Sequence, residues 1–183
     1  MTDPRLAAWA RTLIKYSTNV QPGDVVSIEG DVCSRPLLQA LYREALRAGG
    51  HPVVIPRLSE VQADLLDLGS DEQLDWISPI DQWSRGTADV YIRVMAEENT
   101  KALSRVNPER QIARKRAVAP LMKTMMEREA DGTIRWVLTL FPTDAYAQDA
   151  EMATDAFTEF VYEACKLNAP DPGAAWQAQS AMQ

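Results

Sequence analysis

The sequence predicts an α/β protein with three layers, in which a mostly parallel, Rossmann-like sheet of about four strands is flanked by helices. Short apolar runs rich in β-branched residues alternate along the chain with amphipathic helical segments. This alternation is typical of buried parallel strands and the helices that cover them. The first two runs and the helix between them fit one strand–helix–strand unit of roughly 30 residues, a unit that places its strands side by side and parallel.

Each predicted strand is a short, mainly apolar run bounded by turn residues. The strands lie at residues 25–28, 53–55, 90–95 and 136–141. Amphipathic periodicity and capping residues predict the helices around them. The first of these helices occupies residues 4–17, and the later ones begin near Ser34, Ser59, Ser70, Asn107, Pro142 and Thr154. Ser34, Ser59, Ser70 and Thr154 are the predicted N-caps, and Ser70 with Gln73 matches a capping box.

The longest predicted helix begins at Asn107, an N-cap that is followed by a proline at the first helical position. Pro120 lies inside this helix and is expected to kink or break it, because proline removes a backbone donor and clashes one turn back. The expected inner face is apolar and consists of Ile112, Ala119, Met122 and Met126.

Charge and composition exclude several classes of partner. The chain has 183 residues, 46% of them hydrophobic, and a formal net charge of −7, so it can bury one core but is not built to neutralise phosphates. Basic residues cluster between positions 105 and 123 without interleaved aromatic residues, and acidic residues cluster between 144 and 163. We therefore predict no nucleic-acid partner; the two charged helices are expected to face solvent, one another or a partner subunit.

Neither a membrane partner nor a disulfide framework is predicted. The longest apolar stretches, such as residues 136–141, are far shorter than the ~18–20 residues that span a bilayer. Charges at Asp3, Arg5 and Arg11 interrupt any secretion signal. The two cysteines do not form a CxxC pair, which favours a reducing, cytoplasmic location.

The sequence changes character near its end. Residues 1–168 are expected to form the α/β domain. Residues 169–183 are rich in proline, alanine and glutamine, and they are expected to form a linker or truncated tail.

The single histidine, His51, limits the chemistry that the chain can carry. It cannot supply both a Ser/His/Asp triad and a histidine-rich metal site, and the HExxH, GxSxG, P-loop and GxGxxG patterns are all absent from the sequence. Two interpretations of Cys33 and His51 stay open: a Cys/His dyad across neighbouring strands, or a packed thiol and a turn histidine. We assign no catalytic residue and no metal ligand.

A ligand crevice is expected at the carboxyl ends of the parallel strands, which is where open α/β sheets bind their ligands. The predicted rim contains residues 30–31, 56–57, 96–99 and 142–143. No glycine-rich turn prepares this rim for a pyrophosphate, so a dinucleotide is not expected.

Several segments, in order and spacing, resemble the N-terminal domain of one family of dinuclear metalloaminopeptidases, the family that includes aminopeptidase T and aminopeptidase S. The first group of segments is residues 16–17, 20–26, 36–37 and 42–52. The most specific group is Arg135-Trp136 and residues 142–152, and the last is Phe157, Phe160, Asp171-Pro172 and Trp176.

The resemblance implies an exopeptidase that removes N-terminal amino acids with two divalent metal ions, zinc, cobalt or similar. In that family the Glu, His and Asp ligands lie in a C-terminal domain, and this sequence ends before that domain begins. The resemblance therefore implies the N-terminal domain of an aminopeptidase, either cut from a longer chain or surviving as a truncated relative. It is expected to be inactive alone, to form a homodimer and to meet a peptide substrate only with the missing domain.

Three residues are candidates for the wall of the substrate cavity: Asn99, Thr143 and Gln148. They lie beside predicted strand ends or in the most specific motif; ordinary capping and turn chemistry would also explain them. Two other functions stay open. One is a stand-alone α/β domain for small-molecule binding or dimerisation without catalysis, and the other is an interaction module that uses the two charged helices.

Overall fold

A computed structural model describes residues 3–182, and four parallel strands form the sheet at its centre. The strands are β1 (Val25–Asp31), β2 (His51–Arg57), β3 (Val90–Met95) and β4 (Arg135–Leu140). Their order in the sheet is β2-β1-β3-β4, and every neighbouring pair is parallel. The predicted strands are confirmed, and β1 and β2 extend beyond their predicted bounds.

Helices connect the strands and follow the last one. Those before β3 are α1 (Pro4–Thr12, continued by a π-helical turn Leu13–Ser17), α2 (Arg35–Arg47), α3 (Ser59–Leu68), α4 (Asp71–Asp75) and α5 (Pro79–Gly86). The later helices are α6 (Pro108–Ala130), α7 (Asp144–Asp149), α8 (Thr154–Ala164) and α9 (Pro172–Ser180). A short 3₁₀ turn, Val32–Ser34, joins β1 to α2.

One face of the sheet carries the larger apolar core. The strand side chains in this core are fully buried and are Val26, Ile28, Val90, Ile92 and Val94. They alternate along β1 and β3 because successive side chains of a strand point to opposite faces. Apolar residues of α1, α2 and α8 cover them.

The opposite face of the sheet is polar near its centre. Ser27, Glu29 and Asp31 are buried on it, and α5 and α6 cover it. Helices thus lie on both faces of a parallel sheet, and the predicted three-layer α/β architecture is confirmed. No helix within residues 3–182 has the length and apolar character needed to cross a membrane.

The predicted inner face of α6 is wrong. Ile112, Met122 and Met126 are about half exposed, Ala119 is exposed as well, and Met125 is the buried methionine of this helix. The helix also continues through Pro120 instead of breaking there. Since these exposed residues form an apolar stripe of their own, periodicity alone selected a face of α6 that is not packed into the core.

Basic residues of α6 bind the neighbouring helices. These contacts determine which face of α6 points inward. Arg110, Arg114 and Arg128 donate side-chain hydrogen bonds to backbone carbonyls at the carboxyl ends of α3, α4 and α5, respectively. Such carbonyls lack a partner in their own helix, and a cation also complements the helix dipole there. Two of the six basic residues between positions 105 and 123 thereby hold α3 and α4 on α6, and Arg128, beyond that cluster, holds α5.

Three of the predicted N-caps differ from the structure. Ser59 and Thr154 are the first residues of α3 and α8, so Leu58 and Ala153 occupy the cap positions. Ser34 is at the cap of α2, but its hydroxyl donates to the backbone of Asp31 instead of accepting from the helix. The capping box of α4 and the cap of α6 are confirmed.

The predicted linker after residue 168 is partly helical, because α9 occupies Pro172–Ser180. Asp171 caps this helix by accepting from the backbone N–H of Ala174 at 3.1 Å. Trp176 donates to the backbone carbonyl of Cys165 at 3.2 Å, and Ser180 lies 2.7 Å from the hydroxyl of Tyr16. The Asp-Pro pair is an N-cap signal that outweighs the composition, whereas the domain boundary at residue 168 stays a prediction.

Gly30 allows α2 to pack closely on β1. A β-carbon at this position would lie 2.6 Å from Cδ2 of Leu38 and 3.1 Å from Cβ of Val94. We expect Gly30→Ala to lower the free energy of unfolding by about 1–3 kcal/mol, the usual cost of overpacking. Urea denaturation measures this loss.

Gly86 provides the matched control, because a β-carbon there meets no atom within 4 Å and the residue lies in α5. Gly86→Ala is expected to be neutral or stabilising by up to ~1 kcal/mol. Equal effects of the two substitutions would contradict the packing role of Gly30.

Candidate functional site

A cavity of about 1000 Å³ opens at the carboxyl ends of β1, β2 and β3. Its floor is charged, and its side walls come from α3, from α6 and from the loop that follows β3. Asp31, Pro56, Arg57, Glu97 and Asn99 line it. The rim predicted from the sequence therefore includes residues of the cavity that the fold creates.

Glu29 is the centre of the charged floor. Parallel register places it beside Arg93 of β3, on the polar face of the sheet. Its side chain is 4% exposed and accepts hydrogen bonds from Arg57 at 2.9 Å, from Arg93 at 3.2 Å and from the hydroxyl of Tyr91 at 3.2 Å. A buried carboxylate needs such partners, because an unpaired buried charge is strongly destabilising.

Asp31 lies two residues further along β1 and therefore points to the same face. Its Oδ2 accepts from Arg93 at 3.2 Å and from the backbone N–H of Ala96 at 3.0 Å. The second contact holds the start of the loop after β3 against the end of β1. Asp31 thus fixes the shape of the cavity where the two strands end.

Asp81 of α5 completes the floor by contacting two arginines. Arg57 donates to it, and Nη1 of Arg85 lies 3.5 Å from its Oδ1. Although burial alone lowers the pKa of Arg57, the charges and hydrogen bonds of Glu29 and Asp81 outweigh burial and raise that pKa. We call the six residues Glu29, Asp31, Arg57, Asp81, Arg85 and Arg93 the ion-pair cluster.

Tyr91 of β3 connects Arg85 of α5 to Glu29 of β1. Its hydroxyl accepts from Arg85 at 3.1 Å and donates to Glu29, and the guanidinium of Arg85 lies 5.0 Å from the ring centroid. Burial, followed by the charge of Glu29, raises the pKa of Tyr91 to about 12. The phenol is therefore protonated at neutral pH and acts as a hydrogen-bond donor.

The ion-pair cluster does not suit a metal ion. Each of its three carboxylates contacts an arginine, so a cation would have to displace these contacts against the repulsion of three guanidinium groups. Within residues 3–182, no group of three or more His, Cys, Asp or Glu residues could hold a metal.

The three candidates for the substrate cavity are not brought together. Asn99 lines the cavity, and its side chain accepts from the backbone N–H of Lys101 at 2.9 Å. Thr143 is buried as the N-cap of α7, and Gln148 is exposed on α7; neither lines the cavity. Contact with a substrate stays a prediction for all three.

Thr143 nevertheless acts on the cavity through the loop after β3. Its hydroxyl donates to the backbone carbonyl of Glu97 at 2.7 Å, and Asp149 of α7 pairs with Lys101 at 3.3 Å. Hydrogen bonding from Thr100 and Lys101 lowers the pKa of Asp149. Thr143 and α7 therefore hold the first half of the loop after β3 at two points, Glu97 and Lys101, on either side of Asn99.

The structure excludes the Cys33–His51 dyad. His51 opens β2 opposite Val25, at the amino end of the sheet, whereas Cys33 follows the carboxyl end of β1. Seven residues of strand separate the two ends, which amounts to roughly 20 Å. Cys33 donates instead to the carbonyl of Ala96 at 2.7 Å.

Cys33 is expected to react slowly with thiol reagents. Burial, helped by the charges of Glu98 and Asp31, raises the pKa of Cys33 to about 11 from 9.0. Because the thiolate is the nucleophile, alkylation by iodoacetamide at pH 8 should be roughly 100-fold slower than for a thiol of ordinary pKa, and should accelerate up to about pH 11.

The measurement uses the Cys165→Ala variant, in which Cys33 is the only remaining cysteine, and glutathione as the reference thiol. A rate at pH 8 equal to that of glutathione would contradict the environment described for Cys33.

Sequence reasoning missed four residues of the ion-pair cluster: Glu29, Asp81, Arg85 and Arg93. A signal was present for Arg93, because it is a charge inside the otherwise apolar run 90–95, and such charges are buried only with partners. Glu29 follows the predicted strand 25–28, so its burial depends on β1 being longer than predicted. No local signal marks Asp81 or Arg85, which look like ordinary surface residues of a helix.

The three layers and the cavity define an α/β domain whose sheet is covered by helices on both faces and has a crevice at the carboxyl ends of its strands. Residues 2–183 match the model of the thermophilic metalloprotease (M29) family, and the chain belongs to this family. A curated relative is aminopeptidase PepS of Streptococcus thermophilus, 22% identical over 188 residues that include 94% of this chain and 44% of the relative.

A solved structure of similar fold is wild-type AmpT from Thermus thermophilus. The two share a TM-score of 0.73 and 22% identity over 95% of this chain and 45% of AmpT. The chain therefore spans less than half the length of each of these two proteins.

Proposed function

We propose that this chain is the N-terminal domain of a metal-dependent aminopeptidase, an enzyme that releases N-terminal amino acids from peptides. The observation that supports it most is the family match over residues 2–183, together with a relative that is named as an aminopeptidase and is more than twice as long as the matched region. The domain contributes a wall of the peptide-binding space.

The proposal places the two divalent metal ions, zinc, cobalt or similar, on residues outside this domain. The support is the chemistry of the donors: the three buried carboxylates of the ion-pair cluster are neutralised by three arginines. Alone, the domain is inactive. Residues 169–183, with α9, lead towards the metal-binding domain of such an enzyme, whether the chain was cut from a longer one or survives as a truncated relative.

Calorimetric titration with Zn²⁺ and Co²⁺ tests the absence of metal ligands. Protein first freed of metal by chelation should show no stoichiometric site tighter than about 1 μM. A parallel titration of EDTA confirms that the metal solutions are active. One or two tight sites per chain would contradict the proposal.

The proposal also includes a homodimer and a cytoplasmic location. Sedimentation velocity should give twice the 20.4 kDa mass of the chain, and a single species of 20.4 kDa at all concentrations would contradict the dimer. A stand-alone domain for small-molecule binding or dimerisation is the alternative. A large rise in melting temperature with one metabolite, in the absence of peptide, would favour it.

A further inference from the structure

The cavity lies where the chain connections leave the sheet in opposite directions. In the order β2-β1-β3-β4, the connection from β1 leads to one side, and β3 lies on the other. The crevice between β1 and β3 is therefore the switch point at which open α/β sheets bind ligands. A volume of about 1000 Å³ is enough for a small molecule or a short peptide.

Two arginines of the floor have donors to spare. Nη1 of Arg85 is buried, lies 3.5 Å from Oδ1 of Asp81 and makes no hydrogen bond within residues 3–182, and Arg57 uses only its Nε and Nη2 for hydrogen bonds in this part of the chain. Nearly all buried polar groups in proteins have a partner, so a buried guanidinium nitrogen without one needs an explanation. An acceptor in the cavity would satisfy it.

The net charge of the side chains that line the cavity indicates which kind of hydrogen-bond acceptor the cavity suits. Five cationic and four anionic side chains line the cavity, which gives a formal charge of +1 although the chain carries −7. One added carboxylate balances this charge, whereas a polyphosphate would need several more cations. Lys115 of α6 lines the cavity and forms no ion pair within the described residues, so it adds a free cation at the wall.

The walls are apolar above this floor. Leu58, Val61 and Met122 line the cavity and are 50–56% exposed, beside the half-buried Leu103 and Leu121. Apolar side chains left open in a concave site are typical of a surface that an apolar ligand covers.

We propose that this cavity binds a carboxylate carried on an apolar body, as at the C-terminus of a short peptide or in a free carboxylic acid. The carboxylate lies against Arg57, Arg85 and Lys115, and the apolar body lies between α3 and α6. For a peptide, this inference rests on the proposed function: the domain would hold the end of the substrate opposite to the one that is cleaved.

Calorimetry with N-acetylleucine and N-acetylleucinamide tests the inference, because the two probes differ only in the carboxylate. The acid should bind at least tenfold more tightly than the amide, since hydrogen bonds to charged groups are the strong ones, and added salt should weaken it. Equal binding of both probes, or a Kd weaker than about 10 mM for the acid, would overturn the inference.

Two variants of α6 locate the site without disturbing the ion-pair cluster. Lys115→Gln should weaken the binding of N-acetylleucine by roughly threefold, which is the effect of one exposed charge. Lys123→Gln is the matched control, because Lys123 is also exposed on α6, pairs with Glu127 and lies outside the cavity. If both variants bind like the parent chain or weaken equally, the carboxylate does not lie where we place it.

N-acetyl-leucylleucine separates the two sources of the carboxylate. Tighter binding than N-acetylleucine indicates a peptide, and weaker binding indicates a free acid; both support the shared chemistry. The probes have no free N-terminus, and the buffer contains no metal. Failure to bind them therefore leaves the proposed metalloaminopeptidase function standing, and failure of that function leaves the binding result standing.

Discussion

Glu29→Gln is expected to lower the free energy of unfolding by about 3–5 kcal/mol, the cost of removing one partner from a buried ion pair. Glutamine keeps the shape of the side chain but not its charge. Arg57 and Arg93 would then lose the negative charge of their shared acceptor, and an NH2 group would replace one of the two carboxylate oxygens that accept from the arginines and from Tyr91. Guanidinium chloride denaturation measures the loss.

Glu129→Gln is the matched control, because Glu129 is exposed near the end of α6 and forms no ion pair within residues 3–182. Its effect should lie within ~0.5 kcal/mol. A loss below ~1 kcal/mol for Glu29→Gln would mean that water, and not Glu29, satisfies the arginines of the floor.

Trp9→Ala is expected to lower the free energy of unfolding by a similar amount, about 3–5 kcal/mol. The reason here is the cavity left in the apolar core. Trp9 of α1 is 2% exposed. Its ring stacks on Phe141 after β4, with the centroids 6.4 Å apart, and meets Tyr162 of α8 edge-on at 5.7 Å. One side chain of α1 thus contacts both α8 and the segment that follows β4.

The control for Trp9 is Trp76→Ala, since the side chain of Trp76 is 61% exposed beside α4. This substitution should change stability by no more than ~0.5 kcal/mol. Both variants are compared by urea denaturation at one temperature. If Trp9→Ala proved as mild as Trp76→Ala, α1 and α8 could not be packed as described.

The fold could be predicted because its strands are apolar and its turns carry strong signals. The short runs at β1 and β3 can be buried only inside a sheet covered on both faces, and the capping residues Ser70 and Asn107 fixed two helix starts. The inner face of α6 could not be predicted, because arginines and not apolar residues hold that helix to its neighbours.

The sequence predicted where the candidate site lies in the fold, but it did not predict the ion pairs that form the site. Asp31, Arg57 and Asn99 follow predicted strands in the sequence. Because the strands are parallel, this position alone places the three residues at the carboxyl edge of the sheet. The ion-pair cluster required two further facts, the register that sets Glu29 beside Arg93 and the packing of α5 that adds Asp81 and Arg85. Both are tertiary relations without a local sequence signature.

The most direct test of the account is metal-dependent release of N-terminal leucine from trileucine by the purified chain. The account predicts no release above the protein-free blank with either Zn²⁺ or Co²⁺, because three arginines neutralise the buried carboxylates that could have bound a metal. The account would be contradicted if leucine-releasing activity co-eluted with the chain on size exclusion, required metal and was stopped by EDTA.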